Sequence, residues 1–203
     1  MVIEDQAFNH SSEYSTLFGL VERYSPSGEE GAAVAWLVKR MQALGYQRAF
    51  VDGAGNAVGV MGSGPRQGVL LGHIDSVPGK IPVRVEAGIL HGRGSVDAKG
   101  PLAAFVDAVA RLGVVDGWQF VVIGAVDEER DSTGARYVSN CYQPDFAIIG
   151  EPSHWERVTI GYKGSSWAGL FVHRPRTHSA SGEQNEPPLE YEMTCGTGGV
   201  GSM

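Results

Sequence analysis

The chain has little cysteine: Cys141 and Cys195 are its only two. They lie far apart, without the paired spacing of a disulfide framework or a cysteine zinc knot. Positive charge is also scarce. Lys and Arg number 16 against 23 Asp and Glu, a net charge of −7, and no basic patch offers to neutralise phosphates, which argues against a nucleic-acid partner. No apolar run approaches the length of a membrane span, and the opening MVIEDQAFNH is acidic, with no basic region ahead of an apolar stretch. The expectation is a cytoplasmic protein with no membrane partner. What the chain does have is an ordinary hydrophobic content, 42% of 203 residues, enough for one large domain or for one domain and part of a second.

Helix signals alternate with strand signals. In SPSGEEGAAVAWLVKRMQALGY, Ser27 and Glu30 fit a capping box, Val34, Leu37, Met41 and Leu44 fall on one face, and Gly45 supplies a stop. A second helix is expected over DAKGPLAAFVDAVARLG, with Pro101 in its first turn and Gly113 just past its end, and a third over STGARYVSNCY. Strands are expected around Val58 to Met61, Val69 to Gly72 and Val83 to Glu86, with Ile89 to His91 as a hairpin partner. WQFVVIGAV and FAIIG read as strands buried on both faces. This order predicts an α/β domain with a mostly parallel sheet flanked by helices, whose ligands bind at the carboxyl ends of the strands.

Near Tyr162 the pattern changes to two strands in succession, Val158 to Tyr162 and Trp167 to Val172. The expected organisation is a domain over 1–162, the beginning of a second, α+β domain over 163–186, and an irregular, glycine-rich tail over 187–203. The strand Trp167 to Val172 is expected as an exposed edge.

The chemistry gathers at strand ends. VLLGHID delivers His73 and Asp75, VVIGAVDEE delivers Asp127, Glu128 and Glu129, AIIGEP delivers Glu151, and the turn before the second helix adds Asp97. Carboxylates converging on one edge repel unless a cation holds them, since an uncompensated buried charge costs several kcal/mol. Oxygen ligands with an imidazole suit zinc, cobalt or manganese. Asp97, Glu129 and Glu151 with a hydroxide would balance two divalent ions. Asp75 would then accept the other ring N–H of His73 and fix its tautomer. Of the adjacent pair Glu128 and Glu129, one can ligate metal while the other stays free to take a proton.

GHIDSVPG, GRGSVDAKGPLAA, DEERDSTGAR and IIGEPS resemble, in order, the motifs of the zinc-dependent aminoacylase and carboxypeptidase G family, which includes acetylornithine deacetylase and succinyl-diaminopimelate desuccinylase. VDAKGPLAA, STGAR and TIGYKGS most resemble the branch that releases lysine or ornithine from an amino-group carrier protein in lysine and arginine biosynthesis. The resemblance implies a zinc-exopeptidase-like fold with an inserted dimerisation domain, a homodimer, and two zinc or cobalt ions. It implies His73, Asp97 and Glu151 on one ion, Asp97 and Glu129 on the other, Asp75 orienting His73, and Glu128 as general base. RTHSASG implies His178 as a residue that reaches a partner's site and steadies a developing oxyanion. The implied activity is hydrolysis of the amide in N-acyl amino acids or carrier-linked lysine or ornithine, with dipeptidase or carboxypeptidase activity as alternatives. Family members return to the catalytic domain with a final histidine for the second ion. Nothing after Pro188 resembles that return, so the chain is expected to be truncated, with an incomplete second site and little activity of its own.

Other motifs carry less. GAGNAVG precedes a strand rather than a helix, and GTGGVG precedes two residues, so neither has the context of a dinucleotide loop. His154 could replace a missing ligand but reads as a loop residue, His10, His91 and His173 lack acidic neighbours, and Lys99 reads as a helix-start cation or one supporting the site.

Overall fold

The computed structural model describes residues 14–152, 154, 156–161, 165–173 and 190–198. The chain forms two compact units divided between Pro152 and Ser153, earlier than the boundary expected at Tyr162.

The first unit carries helices α1 (Ser15–Glu22), α2 (Gly31–Ala43), α3 (Lys99–Leu112) and α4 (Thr133–Cys141). Its strands are β1 (Arg48–Val51), β2 (Ala57–Gly62), β3 (Arg66–His73), β4 (Arg84–Glu86), β5 (Ile89–His91), β6 (Trp118–Ala125) and β7 (Phe146–Ile149). β4 and β5 form the expected small hairpin, and the other five strands form one sheet in the order β1-β2-β6-β3-β7. The sheet is mixed rather than mostly parallel: β3 runs parallel to β6 and β7, while β1 with β2 and β2 with β6 are antiparallel. The cause is local. β1 and β2 are joined by a tight turn in which the Asp52 carboxylate accepts the amides of Ala54 and Asn56, and so short a connection permits only an antiparallel neighbour.

The two faces of the sheet follow the period of two. Ala57, Met61, Leu70 and Val122 point to one face and pack against Leu20 of α1, Leu37 and Met41 of α2, and Leu102 and Val106 of α3. Val58, Val60, Val69, Val121 and Ile123 point to the other and meet Val138 of α4. Strands covered on both faces read as continuous apolar runs, which is why WQFVVIGAV showed no alternation. FAIIG differs. β7 is an edge strand, and Phe146, Ile148 and Ile149 are exposed, so burial on both faces does not hold for it.

α2 ends as expected, with Gly45 at φ +87 and the amides of Gly45 and Tyr46 donating to the carbonyls of Gln42 and Met41. Its start departs from expectation. Glu30 occupies the cap position and no side chain caps the helix; Ser27 and Glu30 are engaged elsewhere. α1, unpredicted, lacks a side-chain cap too.

In the second unit, residues 156–161 form no strand, and Val158 and Ile160 are 87% and 99% exposed. The strand expected over Val158 to Tyr162 is therefore absent from its described part. β8 (Ser165–His173) pairs antiparallel with β9 (Glu190–Gly198), from Ser165 opposite Gly198 to His173 opposite Glu190. An irregular tail over 187–203 is thus corrected across β9. Tyr191, Met193 and Cys195 alternate with Glu190, Glu192 and Thr194, a strand period that the neighbouring glycines obscured. β8 is paired along its whole length on one side, and as a member of a two-stranded sheet it is still an edge strand among the described residues.

Candidate metal centre

Three parallel strands aim their carboxyl ends at one edge. His73, the last residue of β3, stands level with Ala125 at the end of β6, and Leu71 stands level with Ile149 at the end of β7. Two residues past Ile149, Glu151 therefore falls beside His73. The ladder continues past the strands, with the Ile74 amide donating to Ala125 and the Gly150 amide to Leu71. Asp97 enters from the turn ahead of α3.

Ligand atoms of His73, Asp97 and Glu151 lie within 4.8 Å of one another, and so do those of His73, Glu128 and Glu129. His73 Nε2 is 3.2 Å from Asp97 Oδ1 and 3.9 Å from Glu128 Oε2. The other ring nitrogen faces inward. Nδ1 lies 3.3 Å from Asp75 Oδ1 and 3.1 Å from the Asp75 carbonyl, so a proton held there leaves Nε2 with its lone pair toward the carboxylates. Asp75 is wholly buried, and its Oδ2 accepts the Ser27 hydroxyl at 2.7 Å and the Glu129 amide at 3.1 Å.

The electrostatics are those of a cluster short of positive charge. Burial lifts the Glu151 carboxyl to about 7, aided by Glu128, Asp97 and Glu129 and partly offset by His73. Burial also raises Glu129, with Asp97, Glu128 and Asp75 adding to it and His73 opposing. For His73, burial pulls downward but is outweighed by the Asp75 hydrogen bond and by Glu128 and Glu151, which carry the imidazole to about 9. Asp75 is itself kept below the usual carboxylate range, because hydrogen bonds from His73, Ser27 and the Glu129 amide outweigh its burial. Without a cation the cluster retains protons; a divalent ion would displace them.

Asp127, expected among the converging acids, is engaged elsewhere. Its Oδ1 pairs with Arg130 at 2.8 Å and its Oδ2 accepts Thr133 Oγ1 at 2.9 Å, and φ of +65 turns the chain there so that Glu128 and Glu129 face the cluster. Lys99 is wholly buried, with Nζ donating to the carbonyls of Leu20 (3.2 Å) and Arg23 (2.8 Å). Burial pulls its amine down to about 8, partly offset by Asp75. It anchors the Asp97 turn to the end of α1. Asn56, within the rejected GAGNAVG, supports the acidic loop from below: Oδ1 accepts the Val126 amide and Nδ2 donates to Gly134 O. His178 and His10 lie outside the described residues. His154, in the second unit, joins neither metal-capable group among the described residues.

A two-faced α/β layer with a histidine and carboxylates gathered at the ends of its parallel strands is an arrangement that can hold a divalent ion. The comparison of the sequence with family models agrees: residues 69–200 match Peptidase family M20/M25/M40, a metal-dependent family, and the chain belongs to it. The [LysW]-lysine hydrolase of Deinococcus radiodurans is 54% identical over 160 residues, covering 77% of this chain and 44% of that protein. The [LysW]-lysine/[LysW]-ornithine hydrolase of Saccharolobus islandicus is 30% identical over 177 residues, covering 83% of this chain and 48% of that one. The chain thus spans less than half the length of these curated relatives. Among solved structures, human carnosine dipeptidase 1 superposes with a TM-score of 0.61 at 20% identity, covering 85% of this chain and 45% of that one. A tripeptidase from Staphylococcus aureus gives 0.57 at 24%, covering 72% and 44%. Both likenesses show the fold.

Proposed function

We propose that this chain is the metal-binding portion of a hydrolase that cleaves the amide linking lysine or ornithine to a carrier protein, or a related N-acyl amino acid. The observation that carries this reading is the gathering of His73, Asp97 and Glu151 ligand atoms within 4.8 Å, in a chain whose named relatives act on carrier-linked lysine and ornithine. His73, Asp97 and Glu151 would hold one zinc or cobalt ion, and Asp97 with Glu129 would contribute to a second. Such ions polarise a carbonyl and lower the pKa of water. Asp75 fixes the His73 ring. Glu128, part-exposed and 3.9 Å from His73 Nε2, takes the proton from the attacking water and passes it to the leaving amine. His178 steadies the oxyanion from a partner subunit of a homodimer.

The test is release of lysine or ornithine from a carrier-protein adduct, with N-acetyl-lysine and N-acetyl-ornithine in parallel, under saturating zinc or cobalt. The 203-residue chain and a version extended by a family-like C-terminal segment are compared. Turnover that depends on metal and on Glu128 in the extended version supports the reading; turnover unaffected by chelation and by Glu128→Gln refutes it. A second reading is that this chain alone holds a single ion and turns over little substrate. It is favoured by the sharing of His73 between both metal-capable groups, which leaves one imidazole among the described residues for two sites. A stoichiometry of one ion per chain supports that reading.

A further inference from the structure

The stretch SPSGEE carries the spacing of a helix cap and does not cap α2. Its side chains instead reach the two loops that bear the metal centre. Ser27 Oγ donates to Asp75 Oδ2 at 2.7 Å. Glu30 Oε1 accepts the Gly28 amide at 2.9 Å and the Asp127 amide at 3.1 Å. The residues just before Ser27 are tied in as well: the Ser76 amide donates to Ser25 O at 3.0 Å, the Ser25 side chain donates through Oγ to Ile74 O at 2.8 Å, and Pro26 forms a parallel bridge with Ser76.

We infer that Ser27 is a positioning residue of the metal centre, holding the Asp75 carboxylate in the plane that serves His73 with one oxygen and the Glu129 amide with the other. The inference rests on the metal-centre reading for its consequence, though not for its geometry. A carboxylate can rotate about its Cβ–Cγ bond, and the Asp75 Oδ1 contact to His73 Nδ1 is long, at 3.3 Å. The Ser27 contact is the shortest that Asp75 makes. Removing it leaves Oδ2 with the Glu129 amide alone, at 3.1 Å, and frees the group to turn away from the imidazole. The segment around Ser27 is tied down on both sides, by the Ser25 carbonyl and the Pro26 bridge to Ser76, by the Ser25 side chain to Ile74 O and by the Glu30 side chain to the Asp127 amide, so the hydroxyl is presented from an anchored segment. Two loops separated by more than fifty residues, one following His73 and bearing Asp75 and the other bearing Glu129, then share one reference point.

The experiment uses the 203-residue chain as wild type, Ser27→Ala and Ser27→Thr, with two readouts. In the metal-free protein, the His73 Nδ1 proton, held between Asp75 Oδ1 and the Asp75 carbonyl, is followed as a downfield NMR resonance. Its exchange with water is expected to be about fivefold faster in Ser27→Ala and within about twofold of wild type in Ser27→Thr, which keeps the hydroxyl. Cobalt binding is expected to weaken about five- to twentyfold in Ser27→Ala and to be restored in Ser27→Thr, in keeping with losses seen when groups behind metal ligands are removed. A purely structural role would lower the melting temperature of the metal-free protein without separating the two variants. Should wild type hold no cobalt while the proton readout behaves as expected, the metal reading fails and the positioning of Asp75 stands. Wild-type proton exchange in Ser27→Ala overturns the inference. If alanine prevents folding, Ser27→Cys keeps the volume with a weaker donor and carries the same expectation, and wild-type exchange in that variant likewise overturns it.

Discussion

Replacing Asp75 by Asn keeps shape and volume and removes one charge, and the consequence is set by the donors around it. Three of them meet this wholly buried carboxylate: His73 Nδ1 at Oδ1, and Ser27 Oγ with the Glu129 amide at Oδ2. An amide has one acceptor oxygen and one donor nitrogen. With its oxygen toward Ser27 and Glu129, the NH2 opposes the His73 Nδ1 proton; with its oxygen toward His73, the NH2 opposes the Glu129 amide, which cannot rotate away. Either way a buried donor is left unpaired, at a cost of about 1–3 kcal/mol. The Nδ1 proton keeps the Asp75 carbonyl at 3.1 Å but loses the carboxylate beside it, so the ring is held less firmly with Nε2 toward Asp97 Oδ1, 3.2 Å away, and binding an ion must restore that orientation. Setting about 2 kcal/mol against binding weakens metal affinity about thirtyfold, within the usual range for a group behind a histidine ligand. Cobalt titration followed by visible absorbance measures it, with circular dichroism as the check on folding. A folded Asp75→Asn protein whose affinity lies within about threefold of wild type would refute this reasoning.

Glu128→Gln is expected to end turnover in the extended version while metal content stays unchanged, and Glu129→Gln to lower metal occupancy; metal analysis beside an amide-hydrolysis assay separates the two, and the opposite pattern would exchange their roles. Metal-free protein is expected to lose stability as pH rises from 4.5 to 7, because Glu151 ionises near 4.5 when unfolded and at about 7 when folded, so the folded state binds more protons across that window. His73, held at about 9 against 6.5, adds the same sign above 6.5, and Lys99, lowered to about 8 from 10.5, opposes it between 8 and 10.5. Urea midpoints in chelator should therefore fall from pH 5 to pH 7, less so in Glu151→Gln; equal falls in both would remove Glu151 as the cause. Gly134→Ala would set a methyl 2.2 Å from Asn56 Oδ1 and 2.7 Å from Val126 N, so a loss of about 1–3 kcal/mol in urea unfolding is expected, and wild-type stability would show that the loop gives way freely.

The strand ends were legible because a buried parallel strand announces itself as an apolar run, and polar residues directly after it have one place to go. His73, Glu128, Glu129 and Glu151 could be named that way and Asp97 from the turn before its helix, and the structure brings all five into the two metal-capable groups. Asp127 was drawn into the same set by sequence adjacency, yet its left-handed backbone and its partners Arg130 and Thr133 turn it aside. The Ser27 and Glu30 pair shows a different limit. A serine three residues before a glutamate is the same pattern whether the two close on their own backbone or on loops about fifty and a hundred residues away. β1 and α1 were missed because each is short and neither has a strong cap or alternation. β9 was missed because its period of two sits among glycines.

The central claim, that His73, Asp97 and Glu151 together hold a divalent ion, is met most directly by zinc and cobalt affinity measured on the purified 203-residue chain beside Asp97→Ala. Asp97 lies 3.2 Å from the His73 nitrogen that faces the cluster and belongs to the metal-capable group containing Glu151. Its loss should remove most binding, while both proteins keep the same secondary structure. Equal metal content in the two would contradict the account.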